Sequence, residues 1–152
     1  MNFSQKSVML FATGFHIGNV PFAPGTFGTI LGLPICFFLS KLDLRIAALC
    51  TVLFVFFAVW IAHEAEVLLN KKDPGCIVID EIAGITVTLL GLPFTPVFGV
   101  AGFCLFRFLD ILKPFPIRYL EKKIPGGAGI VLDDVLAGII GNFILRGISF
   151  LV

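Results

Sequence analysis

From Ile46 to Ala62 the chain carries no charge, and Thr51 is its one hydroxyl-bearing residue. A run of this length and character is what a helix needs to cross the ~30 Å hydrocarbon layer of a bilayer, which takes about 20 residues. It is the cleanest of five apolar runs, at about 27–40, 44–62, 76–91, 97–112 and 130–152. The second run is expected to continue as an amphipathic helix to Leu69. Charged residues make up only 14% of the 152-residue chain and hydrophobic ones 58%, whereas soluble domains carry about 25% charge. The expectation is therefore an all-α integral membrane bundle of about five apolar helices plus short interfacial helices, as a single domain over 1–152. Eighteen Phe against one Tyr and one Trp suit lipid-facing and helix-packing surfaces with a weak aromatic belt.

The segments between the runs carry turn chemistry. A short interfacial helix is expected over about 4–17, ending before Pro21-Phe22-Ala23-Pro24. In Pro24-Gly25-Thr26-Phe27-Gly28-Thr29, Thr26 reads as an N-cap, and two readings stay open: a capped tight turn, or one whose backbone N–H groups also hold a phosphate. Asn70–Gly75 and Gly91–Pro96 are loops. The prolines at 114 and 116 interrupt the chain before a surface helix at about 115–122, and Pro125-Gly126-Gly127-Ala128-Gly129 reads as a flexible break.

A net charge of +1 gives no case for nucleic acid. Cys36, Cys50, Cys76 and Cys104 are scattered without zinc-like spacing and are expected to be small buried thiols. No signal peptide stands out, since His16 and Asn19 interrupt the first apolar stretch.

Five acids are embedded in or beside the apolar runs: Asp80 and Glu81, Asp110, and Asp133 and Asp134. A carboxylate at membrane depth is costly unless paired, coordinated or facing water, and marks a functional site by default. If the runs cross alternately from the cytoplasm, all five acids fall at one face. Most basic residues, including Lys71, Lys72, Lys113, Arg118, Lys122 and Lys123, fall there too, which the positive-inside rule makes cytoplasmic. Several runs are short for full spans and fit tilted or re-entrant segments. Clustered carboxylate oxygens are hard ligands for Mg²⁺ or Mn²⁺. Ion pairing with Arg107, Lys113 or Arg118 is the alternative use of these acids. Gly84 and Gly138 each lie four residues beyond an acid, leaving room for a head group or a partner helix. Lys113 and Arg118 are placed to hold a substrate phosphate, while Lys122 and Lys123 suit a headgroup surface. Glu64 and Glu66 read as a solvated helix end or outer members of the acidic set, His63 as an incidental helix-end residue or a proton shuttle, and Trp60 as packing or an interfacial anchor. The chemistry expected is attack of water on a phosphate beside a metal.

The sequence resembles the phosphatidylglycerophosphatase A family. The pieces that carry the resemblance are Pro24–Thr29, Asp73-Pro74-Gly75 leading to Ile77–Glu81 with Gly84, Phe106-Arg107-Phe108 with Asp110, Lys113–Arg118, and Gly126–Gly127 with Gly129–Asp134 and Ala137-Gly138. They cover roughly 20–140 in order; Thr29 stands where Ser is more usual. The resemblance implies a Mg²⁺-dependent, multi-pass enzyme of the bacterial inner membrane, active on its cytoplasmic face. It would be a phosphoric monoester hydrolase converting phosphatidylglycerophosphate to phosphatidylglycerol and phosphate, with no organic cofactor and no obligate protein partner. The family's acidic positions fall on Asp80, Glu81, Asp110, Asp133 and Asp134, which would be metal-binding and catalytic, and its Lys-Pro on Lys113-Pro114; by the reading of the residues themselves, Thr26, Arg107, Lys113 and Arg118 are the expected substrate-binding residues. The rivals are a phosphatase or phosphotransferase acting on another lipid phosphate, and a divalent-cation transporter, whose acids would be spread across membrane depth.

Overall fold

The computed structural model describes residues 2–149. Among them are seven α-helices and no strand: α1 (Phe3–Ala12), α2 (Pro24–Leu39), α3 (Leu44–Leu69), α4 (Ile79–Leu89), α5 (Pro96–Leu112), α6 (Ile117–Lys123) and α7 (Gly126–Ser149), with a 3₁₀ turn at Ile17–Asn19. Helices form on all five apolar runs. Only α3 and α7, however, are long and apolar enough to cross a membrane; α2, α4 and α5 have 16, 11 and 17 residues.

The start of each helix follows local chemistry. Asn2 and Gln5 form a reciprocal capping box on α1, Asp43 caps α3 through the Arg45 N–H, and Thr95 caps α5 ahead of Pro96. Thr26 caps nothing: α2 begins at Pro24, a residue suited to a first helical position, and its N-cap is Ala23 in the left-handed region. The expected break at 125–129 is also different, because α7 begins at Gly126 and its glycines serve close packing. A Cβ on Gly127 would lie 2.2 Å from the Val59 carbonyl oxygen on α3, and one on Gly129 would lie 2.0 Å from that of Ile124. Asp133 and Asp134 therefore lie two turns into the helix rather than near its start.

Helix α4 is the hub, with nine of its eleven residues buried between α2, α3, α5 and α7. Two apolar clusters flank it. One joins α1, α3, α4 and α7 through Ala12, Ile61, Ala65, Ala83 and Val131; the other joins α4, α5 and α7 through Ile85, Leu89, Phe106, Leu109 and Leu145. Where α4 stops, Asn142 of α7 donates to the carbonyls of Thr88 and Leu90, each at 2.9 Å, and Arg146 Nη2 donates to that of Leu90, also at 2.9 Å. A short helix thus ends inside the bundle with its last carbonyls satisfied.

The exterior is apolar. Leu49, Val52, Leu53, Phe56 and Trp60 on α3 are exposed, as are Phe108 and Ile111 on α5 and Phe143 on α7. Only 22% of the apolar window of α3 is buried, which is unlike the core helix of a soluble protein. The thiols follow the same logic. Cys36 is buried, but Cys50 and Cys104 are exposed and Cys76 is half-buried, since on an apolar exterior a thiol has no need of burial.

Candidate active site

A cavity of about 470 Å³ opens at one end of the bundle, and all five embedded acids line it. Asp80 and Glu81 come from the first turn of α4, where the helix dipole favours negative charge. Asp110 comes from the last turn of α5, and Asp133 and Asp134 from α7. Four of these acids are buried, and Glu81 nearly so.

The acids fall into two sets. Asp133 is fully occupied: its Oδ2 accepts from Lys113 Nζ at 2.5 Å, and its Oδ1 accepts from the Asp134 N–H at 3.0 Å. Asp110 accepts from Arg107 Nη1, which also lies 3.8 Å from Glu81 Oε1. By contrast, Asp80 Oδ1, Glu81 Oε2 and Asp134 Oδ2 are buried without a partner. An unpaired buried carboxylate oxygen costs several kcal/mol, roughly, unless something outside the protein meets it. Oxygens of these same three residues lie within 4.8 Å of one another. Three hard oxygen donors around one point fit a small divalent cation such as Mg²⁺. Asp80, Glu81 and Asp134 would hold it, with Arg107 and Lys113 orienting the outer pair.

Lys113 sits in the left-handed region at the end of α5 and reaches both Asp133 and, at 3.1 Å, Glu121. Burial alone would lower the pKa of its ammonium, but the hydrogen bonds and charges of Asp133 and Glu121, with Asp134, outweigh this and raise it above the usual lysine value. Lys113 therefore stays charged. Gly25 lets α2 approach the site closely: a Cβ there would lie 2.1 Å from Glu81 Oε1 and 3.1 Å from Arg107 Nη1, so the start of α2 lies directly against the site.

Two expected substrate contacts are placed elsewhere. Thr26, third residue of α2, is half-buried and outside the cavity lining. Arg118 lines an adjacent groove, where its Nη2 donates to the Leu112 carbonyl at 3.1 Å. In the other direction, Glu66, Lys72, Asp73, Glu121 and Lys122 also line the cavity. Glu66 Oε1 accepts from the Asp73 N–H at 3.2 Å, which folds the 70–75 loop over the cavity. The sequence offers Glu66 as an outer acid, and Asp73 opens the Asp73-Pro74-Gly75 motif. Only the fold, which brings α6 across the start of α7, gives Glu121 and Lys122 away.

An all-α chain with an apolar exterior and a carboxylate cavity at one end suits an enzyme of lipid phosphates, and sequence comparison places the chain among lipid phosphatases. The chain belongs to the phosphatidylglycerophosphatase A family, whose model matches residues 10–149. It is 37% identical to the phosphatidylglycerophosphatase A of Escherichia coli over 137 residues, covering 90% of this chain and 80% of that one. It is also 37% identical to that of Haemophilus influenzae, covering 94% and 89%. A Bacteroides thetaiotaomicron protein with the provisional name phosphatidylinositol-3-phosphatase is 38% identical, covering 93% and 92%. No solved structure matches the chain.

Proposed function

We propose that this protein is a Mg²⁺-dependent phosphatidylglycerophosphatase of the bacterial inner membrane. It would cross the membrane several times and hydrolyse phosphatidylglycerophosphate to phosphatidylglycerol and inorganic phosphate at the cytoplasmic face. One observation carries the reading: the unpaired oxygens of Asp80, Glu81 and Asp134 share a cavity with Lys72, Lys113 and Lys122. Anion-binding and cation-binding groups converge there, as a phosphomonoester and its metal require.

In this reading, Asp80, Glu81 and Asp134 would hold Mg²⁺, which would supply Lewis-acid chemistry. Arg107 holds Glu81 and Asp110 in place and limits their mutual repulsion. Lys113, fixed by Asp133 and Glu121, presents a permanent positive charge to the phosphate oxygens. Water adds its oxygen to phosphorus, the ester P–O bond breaks, and the glycerol oxygen leaves with a proton. A transport pathway is less well supported. It would spread its acids across the depth of the bundle, whereas all five embedded acids line one cavity.

The relatives' names leave two head groups in view, and these share a chemical plan. Phosphatidylglycerophosphate and phosphatidylinositol 3-phosphate each carry a phosphodiester and a phosphomonoester on carbons 1 and 3 of one polyol. The E. coli and H. influenzae names favour the glycerol lipid. The test is phosphate release by purified protein in mixed micelles. Release from phosphatidylglycerophosphate with Mg²⁺, abolished by exhaustive chelation and restored by Mg²⁺, is the expected result. Release that persists after chelation rules out the metal, and preference for the inositol lipid rules out the substrate.

A further inference from the structure

Arg118 has no place in the acid cavity, yet it stands immediately beside it. It lines a shallower groove with Leu112, Phe115, Tyr119 and the two lysines 113 and 122, both of which also line the acid cavity. The groove and the cavity therefore share a wall made of cations. No carboxylate lines the groove, and neither Arg118 nor Lys122 is in an ion pair among the described residues. Arg118 commits Nη2 to the Leu112 carbonyl and is otherwise free to bind an anion. The floor is apolar and exposed: Phe115 is 85% accessible and Leu112 50%, and Phe108 and Ile111 continue the apolar surface along α5. Cations above a lipid-facing apolar strip match the charge pattern of a phospholipid at the point where head group meets acyl chain.

We infer that this groove binds the phosphodiester of the lipid substrate. Arg118 is its main contact, Lys122 lies between the two phosphates, and the acyl chains lie along Phe108, Ile111 and Phe115. This rests on the proposed function. A monoester seated in the acid cavity leaves the diester only three carbons away, within reach of the groove across the shared lysine wall. Arg118 then selects lipids that carry a second phosphate and contributes nothing specific to a lipid with a monoester alone.

The experiment compares kcat/KM for phosphatidylglycerophosphate with kcat/KM for phosphatidic acid, which has the monoester but no diester, on single preparations of wild type, R118Q, R118E and R118K. Partial unfolding cancels in this ratio. R118Q is expected to lower it about tenfold, the worth of one charge-assisted contact, R118E to lower it further, and R118K to recover most of it. An unchanged ratio in both R118Q and R118E overturns the inference and leaves the proposed function standing. A wild-type protein that releases phosphate from neither lipid overturns the proposed function instead.

Discussion

A Cβ on Gly138 would lie 2.5 Å from the carbonyl oxygen of Gly84, so α4 and α7 meet backbone to backbone. Gly84 follows Asp80 by one helical turn, and Gly138 follows Asp134 by one turn. The contact therefore sets the separation of the two acids. Gly84 also faces the Phe106 ring, 2.4 Å from where its own Cβ would be, which leaves no room there for a head group. Of the two uses the sequence allowed for these glycines, the partner helix is the one found.

G138A is accordingly expected to push α4 away from α7. Overpacking of this kind costs about 1–3 kcal/mol, or some 2–4 °C of melting temperature per kcal/mol in a chain of this size. Phosphate release should fall more steeply than stability, because the acids move apart. G147A is the control: nothing lies within 4 Å of a Cβ at that position. Equal behaviour of the two variants in thermal melts and phosphate release would contradict the packing argument.

The division of the acids into two sets predicts graded losses. D80N, E81Q and D134N each turn a carboxylate with an unpaired oxygen into a neutral amide and should reduce activity by more than D110N or D133N. The latter two disturb only outer partners, for which losses of about 10–100-fold are typical. Binding gives an independent readout. Mg²⁺ at about 100 times its dissociation constant stabilises a protein by ~2.7 kcal/mol. Wild type and D110N should show that upward shift in melting temperature, and D134N should not. Identical shifts in all three would remove Asp134 from the metal set.

Lys113 and Asp133 form a closely held pair in the cavity, with the Asp133 side chain only 4% exposed. Removing one partner strands a buried charge, which costs about 3–5 kcal/mol, whereas removing both spares that penalty. K113A should therefore destabilise more than K113A/D133A does. A double-mutant cycle in chemical denaturation measures this, and additivity would show the pair to be uncoupled.

The sequence conveyed much of this arrangement because periodic and compositional signals are local. The run at 44–62 with its amphipathic extension became one helix ending at Leu69, and the five distant acids line one cavity. What failed depended on tertiary contact. Gly126, Gly127 and Gly129 read as a break because their composition is that of a flexible loop, while their real neighbours, Val59, His63 and Ile124, lie on other segments or across a turn. Thr26 read as a cap because Ala23 is an improbable residue for that position on propensity alone. Lys122 and Glu121 face the cavity only because α6 folds back across the start of α7. The direction of Arg118, away from the acids, follows from the same fold-back.

The far end of the bundle offers a separate test, because there the chain solves a problem of length. Helix α4 has 11 residues, about 16 Å, too few to cross a bilayer, so its C-terminal carbonyls end among apolar side chains. Asn142 Nδ2 meets the carbonyls of Val87 at 3.3 Å and of Thr88 and Leu90 at 2.9 Å, and its Oδ1 accepts from Arg146 Nε at 2.8 Å. In N142L the carbonyls of Val87 and Thr88 lose this donor, at a cost of about 1–3 kcal/mol where nothing replaces it. The melting temperature should drop by several degrees at ~2–4 °C per kcal/mol. Because these contacts lie at the opposite end from the acids, the Mg²⁺ requirement and the KM for lipid should stay at wild-type values in the folded fraction. A variant that melts normally would show that these carbonyls find other donors. One that melts early and also needs more Mg²⁺ would show that α4 transmits the disturbance along its length to Asp80.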